Sequence, residues 1–279
     1  MILTRKWINT KLVLQLFLVV FAIIQFYPLL WLVLTSFKTN IEITGSNVMG
    51  LPSKWMFENY KYVFVGSKLG RNFLNSLFYT GITVITSGLL ASMVSYAVTR
   101  MKWKFSKIVL ALFMSGLMIP VHATLLPIFL ILKQTHLLNT PWALMIPYTV
   151  NAIPPAMFIM VGFFTSLPRE LEEASVVDGC NIYQVFFRIM LPLIKPALVS
   201  VSIFTFLAAW NELMFATTFI NNTNLMTITV AINSLRGLHM TEYGPIAAGM
   251  VIATIPTIIL YAFLSEQVQK SIVAGAIKG

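Results

Sequence analysis

Charge is missing from this chain over lengths that a water-soluble fold does not sustain. From Leu12 to Phe37 there is no Asp, Glu, Lys or Arg, and the same holds over 72–99, 141–166 and 244–265. A helix needs about 20 mostly apolar residues to cross the hydrocarbon core of a bilayer. In lipid every backbone N–H and C=O must be satisfied within the protein, which favours helices. Six spans are expected, at about 12–36, 72–99, 107–132, 141–166, 193–219 and 244–265. The fold class read from this is an all-α integral membrane protein with six transmembrane helices. Composition agrees, with 58% hydrophobic and 10% charged residues, where soluble domains average about 25% charged.

Prolines mark two of the spans. Pro120 and Pro127 in the third, and Pro147, Pro154 and Pro155 in the fourth, predict kinked or broken helices. Such breaks are tolerated where neighbouring helices or a water-filled cavity satisfy the freed backbone groups. That favours a pathway-forming bundle over a simple anchor.

The net charge of +10 fits the positive-inside rule better than nucleic-acid binding, because the cations cluster between spans. With the N-terminus inside, twelve of the nineteen Lys and Arg fall on cytoplasmic pieces, and Arg100, Lys102, Lys104 and Lys107 form one dense inside loop. Both termini then face the cytoplasm. Arg5, Lys6 and Lys11 before an apolar run resemble a secretory signal, but the run is too long and lacks an obvious cleavage site. It reads as an uncleaved first span. The single Cys180 excludes an intrachain disulfide framework, and an inert thiol is expected there. The segment Lys38–Arg71 is the only sizeable loop and reads as a small ordered outer elaboration. No repeat, linker or low-complexity tract interrupts the chain.

One polar stretch between spans has strong local signals. Pro168 suits a first helical turn, and Glu170, Glu172 and Glu173 follow where acids favour the positive helix end. Gly179 sits where a helix stops with a left-handed residue. Asn181 and Gln184 form a capping-box pair that restarts a helix, and Pro192 is expected to end it at about Leu191. The result is a short helix, a sharp turn and a second short helix at the membrane surface, able to dock a soluble partner.

The residues of this stretch are Glu173-Ala174-Ser175, Gly179 and Ile189-Met190-Leu191-Pro192. They resemble the loop E-A-A-x3-G-x9-I-x-L-P of permease subunits of ABC importers, with Ser175 standing for the second alanine. Other matches include Ser36-Phe37-Lys38, Glu58-Asn59-Tyr60, Asn75-Ser76, Tyr96-Ala97 with Arg100, Leu138-Asn139-Thr140 and Trp210-Asn211-Glu212. The tail Ala274-Gly275-Ala276-Ile277-Lys278-Gly279 matches as well. The chain therefore resembles the carbohydrate class of these permeases, the type represented by the smaller permease of maltose importers.

The resemblance implies a type I importer permease fold. Residues 1–70 would hold the N-terminal tail, first span and outer loop, 71–269 the permease core, and 270–279 a cytoplasmic tail. It implies a second homologous permease, two ATP-binding cassette subunits, an extracytoplasmic sugar-binding protein and a prokaryotic cell membrane as surroundings. The chain carries no G-x-x-x-x-G-K-[ST], so ATP and Mg would be bound by partner subunits. No cofactor, metal or catalytic residue is expected here. Glycerol phosphate or another small solute is the alternative cargo.

Two sets of site residues follow. Glu173, Ala174, Ser175, Asp178 and Gly179 are expected to couple to the ATPase, with local capping as the other role for Asp178. Trp210, Asn211 and Glu212 are candidates for the substrate pathway. A continuous fifth helix would place Glu212 about 29 Å along from Leu193, at about 1.5 Å per residue. That depth leaves either a pathway or an interfacial role open. His122, His136 and His239 have no metal-ligand spacing. An ion-coupled transporter would carry midplane charges or paired repeats, and an intramembrane hydrolase would need a nucleophile-base constellation. Neither pattern is visible.

Overall fold

A computed structural model describes residues 2–45, 47–236 and 241–276, with side chains from 11 to 263 within these ranges. His239 and the last three residues of the tail motif lie outside them. Among the described residues the chain is helical, and its one β-bridge joins Arg236 to Thr241.

In chain order the helices are α1 (Ile2–Thr35), α2 (Asn40–Thr44), α3 (Glu58–Lys61), α4 (Leu69–Arg100), α5 (Ser106–Gly116) and α6 (Leu125–Gln134). They continue as α7 (Trp142–Ser166), α8 (Glu170–Val177), α9 (Ile182–Gln184), α10 (Leu191–Leu193), α11 (Lys195–Trp210), α12 (Met214–Phe219), α13 (Ile228–Ser234) and α14 (Tyr243–Ala276). Among the described residues four are long and apolar enough to cross a membrane, and the number of spans is six when each of two bent pairs is counted as one broken span.

The prolines act differently in the two spans they mark. The third span is broken, with α5 and the Val121–Gln134 segment meeting at 95°. Pro120 stands at the break, before a 3-10 turn at Val121–Thr124. The fourth span runs unbroken as α7 in spite of Pro147, Pro154 and Pro155. Each proline leaves the carbonyl four residues earlier without its helical donor.

The expected fifth helix, 193–219, is not continuous. α11 stops at Trp210, Asn211 caps it, and α12 begins at Met214. The depth drawn for Glu212 from a straight helix therefore does not apply, because Glu212 lies in the break. The helix after Asn181 also departs from expectation. It does not end at Leu191 but runs on to Leu193 through a π-helical stretch, Val185–Met190. The Ile182–Leu193 segment then meets α11 at 74°.

The chain divides into two compact units. The first, 1–69 with 232–254, holds the loop after α1. There the matched triplets fold on each other. Asn59 donates to the carbonyls of Ser36 and Lys38 at 2.9 and 3.0 Å, and the Ser36 and Tyr60 hydroxyls meet at 2.8 Å. The buried ammonium of Lys38 is satisfied by the carbonyls of Asn47 and Val48 at 2.8 and 2.9 Å. A Cβ at Gly244 would lie 2.8 Å from the Lys38 carbonyl oxygen, so only glycine permits this approach.

The second unit, 70–231 with 255–279, contains α5–α12 and nearly all of α4. Along α4, Ser76, Thr80, Thr83, Ser87, Ala91 and Ser95 are buried at helical spacing. Small side chains of this kind let membrane helices approach closely. The apolar side chains gather in two clusters. One holds Tyr79, Leu144, Tyr148, Phe215 and Phe219. The other holds Tyr96, Met157, Phe164, Phe186 and Met190.

Candidate functional site

The second cluster carries the polar loop that follows α7. Leu167 leaves the helix with ψ 142°, and α8 begins with Glu170, Glu172 and Glu173 in its first turn. Spacing divides α8 into faces. Ser175 is buried and Glu172 half-buried, whereas Glu173, Ala174, Val176 and Val177 are exposed. The Ser175 hydroxyl donates back to the Leu171 carbonyl at 2.5 Å, so a hydroxyl is accommodated where the matched pattern has a methyl.

Gly179 takes φ +82°, as expected. It completes a Schellman turn, with Cys180 N–H donating to the Ser175 carbonyl and Gly179 N–H to that of Val176, both at 3.0 Å. These bonds satisfy carbonyls that the helix end would otherwise orphan. Asp178 is the C-cap residue of α8 and is exposed. The Cys180 thiol is half-buried and packs on the second cluster. Asn181 and Gln184 form the capping box reciprocally, at 3.0 and 2.9 Å. The π stretch then leads into α11.

Elsewhere in the same unit, a cavity of about 600 Å³ lies among α4, α7, α11 and α12, a size typical of small-molecule sites. Its wall is mostly apolar, with Leu117, Val121, Phe158, Phe204 and Phe215 contributing, and its polar residues are Thr83, Tyr148, Asn151, Thr205 and Glu212. Of the three pathway candidates, Glu212 lines it. Its carboxylate accepts from the amides of Phe215 and Ala216 at 2.7 and 3.0 Å and so caps α12. The Tyr148 hydroxyl also donates to it, at 2.7 Å. The Glu212 carbonyl accepts from Thr229 at 2.8 Å.

Trp210 and Asn211 have other positions. Trp210 is 2% exposed, stacked on Phe206 and edge-on to Phe73. The Asn211 side chain donates back to the Leu207 carbonyl at 2.8 Å. His122 sits edge-on to Phe215. Among the described residues there is no metal-binding cluster.

Two participants escaped the sequence reading. Tyr148 lies in an apolar span, and only its phenol in a helix free of charge hinted at a partner. Arg100 marks orientation and belongs to the matched Tyr96-Ala97 motif, but neither signal points to its partner, and its guanidinium bonds Glu172 at 3.0 Å.

Comparisons with known proteins agree with the fold. The diacetylchitobiose uptake system permease protein NgcG of Streptomyces coelicolor is 30% identical, over 94% of this chain and 87% of its own. The trehalose/maltose transport system permease protein MalG of Thermococcus litoralis is 30% identical over 99% of each. A crystal structure of a bacterial ABC transporter involved in the import of the acidic polysaccharide alginate contains a chain that superposes with a TM-score of 0.81. That chain is 22% identical, and the match covers 92% of this chain and 96% of the other. It shares the fold of a membrane subunit of an ABC importer. Residues 84–273 match the family described as binding-protein-dependent transport system inner membrane component, and the chain belongs to that family of ABC importer permeases.

Proposed function

We propose that this chain is one of two permeases of an ATP-driven sugar importer, and that the loop from Glu170 to Leu193 is where an ATPase subunit docks. The α8–Gly179–Asn181 geometry carries this reading. A helix with its acid-rich, small-residue face exposed is fixed at its C-terminal end by the backbone bonds of the Gly179 turn, so it meets a partner as a rigid element. Glu173 and Ala174 lie on that face, while the exposed Val177 adds apolar area and Asp178 adds charge at its end. The chain lacks a phosphate-binding loop, which leaves ATP and Mg to the partner subunits.

In this reading the loop and both termini are cytoplasmic, a second permease completes the pathway, and a binding protein delivers the cargo outside. Movement of α8 passes through the π stretch into α11, which ends at the Glu212 break beside the cavity. The names of the relatives support a carbohydrate cargo, and the cavity suits one. Phe158, Phe204 and Phe215 offer aromatic faces to pyranose rings, and Asn151 and Glu212 offer polar groups to hydroxyls.

The test is uptake in cells lacking this chain. Restoring it should restore sugar uptake that requires ATP, the ATPase and the binding protein. Uptake driven by a proton or sodium gradient through this chain alone would overturn the reading, and uptake of glycerol phosphate instead of sugars would overturn the cargo.

A further inference from the structure

Arg100 is the last residue of α4, and Tyr96 precedes it by one turn on the same face. Its side chain is only 4% exposed. Nε donates to Glu172 Oε2 at 3.0 Å. Nη1 donates to the carbonyls of Leu167 at 3.0 Å and Phe164 at 3.3 Å, and Nη2 to that of Pro168 at 3.1 Å. Three acceptors are thus the carbonyls where α7 runs out, and the fourth is a carboxylate in the first turn of α8. α7 has no basic residue in its own last turn. Arg100 supplies the donors and the positive charge which that helix end lacks.

Tyr96 holds the other arm of the loop. Its ring packs against Phe164 at 5.7 Å and against Phe186, in the π stretch, at 5.3 Å. One face of α4 therefore grips the end of α7, the start of α8 and the helix beyond Gly179.

We propose that Arg100 is the positioning residue that sets the angle of the docking loop against the spans, so that α4, α7 and α8 move together when α8 is pulled. The inference rests on the docking reading given above. A guanidinium is required because its planar fork reaches a carboxylate and three carbonyls at once, whereas an ammonium is a point donor. With the fork gone, α8 still has its Gly179 turn and its exposed face, so it binds the partner but slips against the spans.

The assembled complex in lipid nanodiscs, supplied with binding protein and sugar, separates these roles. Arg100→Lys and Glu172→Gln are compared singly and together, with Glu173→Lys as the docking control. Two quantities are read: ATPase subunits retained per permease, and ATP hydrolysed per sugar moved. Arg100→Lys should retain the ATPase while ATP per sugar rises by about fivefold or more, the lower end of ordinary coupling between sites. Glu172→Gln should shift the same ratio in the same direction. The double variant should be no worse than the larger single one, because the charge-assisted contact that Glu172→Gln weakens is already lost with Arg100. A role in folding alone would lower the amount of complex and leave that ratio unchanged.

An unchanged ratio in both single variants, with Glu173→Lys releasing the ATPase, overturns the role of Arg100 and leaves docking intact. Retained ATPase and full transport in Glu173→Lys removes the docking reading, and this inference with it. If Arg100→Lys does not assemble, Glu172→Gln decides by the same ratio.

Discussion

The hydroxyl of Tyr148, in the second turn of α7, donates to the carboxylate of Glu212 at 2.7 Å. The same carboxylate caps α12 through two amides. An acid among apolar helices is costly unless such partners satisfy it. The break after Trp210 is therefore held by a set of hydrogen bonds in which each donor depends on one side chain.

Glu212→Gln is expected to destabilise the complex by about 1–3 kcal/mol, since an amide turns a donor towards groups that already donate. Tyr148→Phe should cost about 1 kcal/mol, and the double variant less than the sum of the two. Thermal unfolding of purified complex measures this. Sugar uptake by Glu212→Gln should fall or change selectivity with assembly intact. Unaltered uptake across several sugars would confine Glu212 to capping.

Gly179→Val is expected to insert normally and lose coupled transport. A Cβ at this position meets nothing within 4 Å, so crowding is not the difficulty. The penalty lies in φ +82°, at roughly 1–2 kcal/mol for an ordinary L-residue and less for Asn. Binding-protein-stimulated ATP hydrolysis should rank glycine above Asn and Asn above Val. Equal hydrolysis in all three would make the turn a tolerant one.

Topology is checked by labelling. In a Cys180→Ser background, cysteine introduced at Ser53 should react with an impermeant thiol reagent on intact cells. Cysteines at Ser106 and Asn181 should react only after lysis. Labelling at Asn181 from outside would reverse the orientation and remove docking.

Glu42 gives a pH prediction. Bonds from the Ser53 amide and from Thr39 favour its ionised form and hold the carboxyl at about 2, against an ordinary value of 4.5. A lowered folded-state pKa stabilises fully above the unfolded value and is lost as pH falls through the folded one. Wild type should therefore exceed Glu42→Gln in thermal stability at pH 6, and the gap should close between pH 4.5 and 2. A gap independent of pH would remove the carboxylate from the account.

The membrane class, the spans and the helix–turn–helix form of the loop after α7 were legible because each rests on local rules. Charge-free length marks a span, Gly179 marks a left-handed turn, and Asn181 with Gln184 marks a cap. What escaped depends on neighbours distant in sequence. Three prolines fail to break α7, while the break after Trp210 contains no proline and is stabilised by Tyr148 and Thr229 from other helices. Trp210 reads as an interface or sugar residue, since nothing local shows that Phe73, from α4, covers it. Arg100 gave a net-charge signal, and its carbonyl partners have no signature in sequence.

The π-helical stretch from Val185 to Met190 has a consequence of phase. A π turn amounts to one residue more than the α-helix around it requires. Deleting one residue there would restore α geometry and remove the bulge, so the helix before it would keep nearly the same bearing on α11. The bearing of the exposed face of α8 relative to α11 is thus buffered against the loss of one residue from this stretch. A further residue inserted in α geometry has no such outlet and would turn everything before it by about 100° around the helix axis, more than a quarter turn.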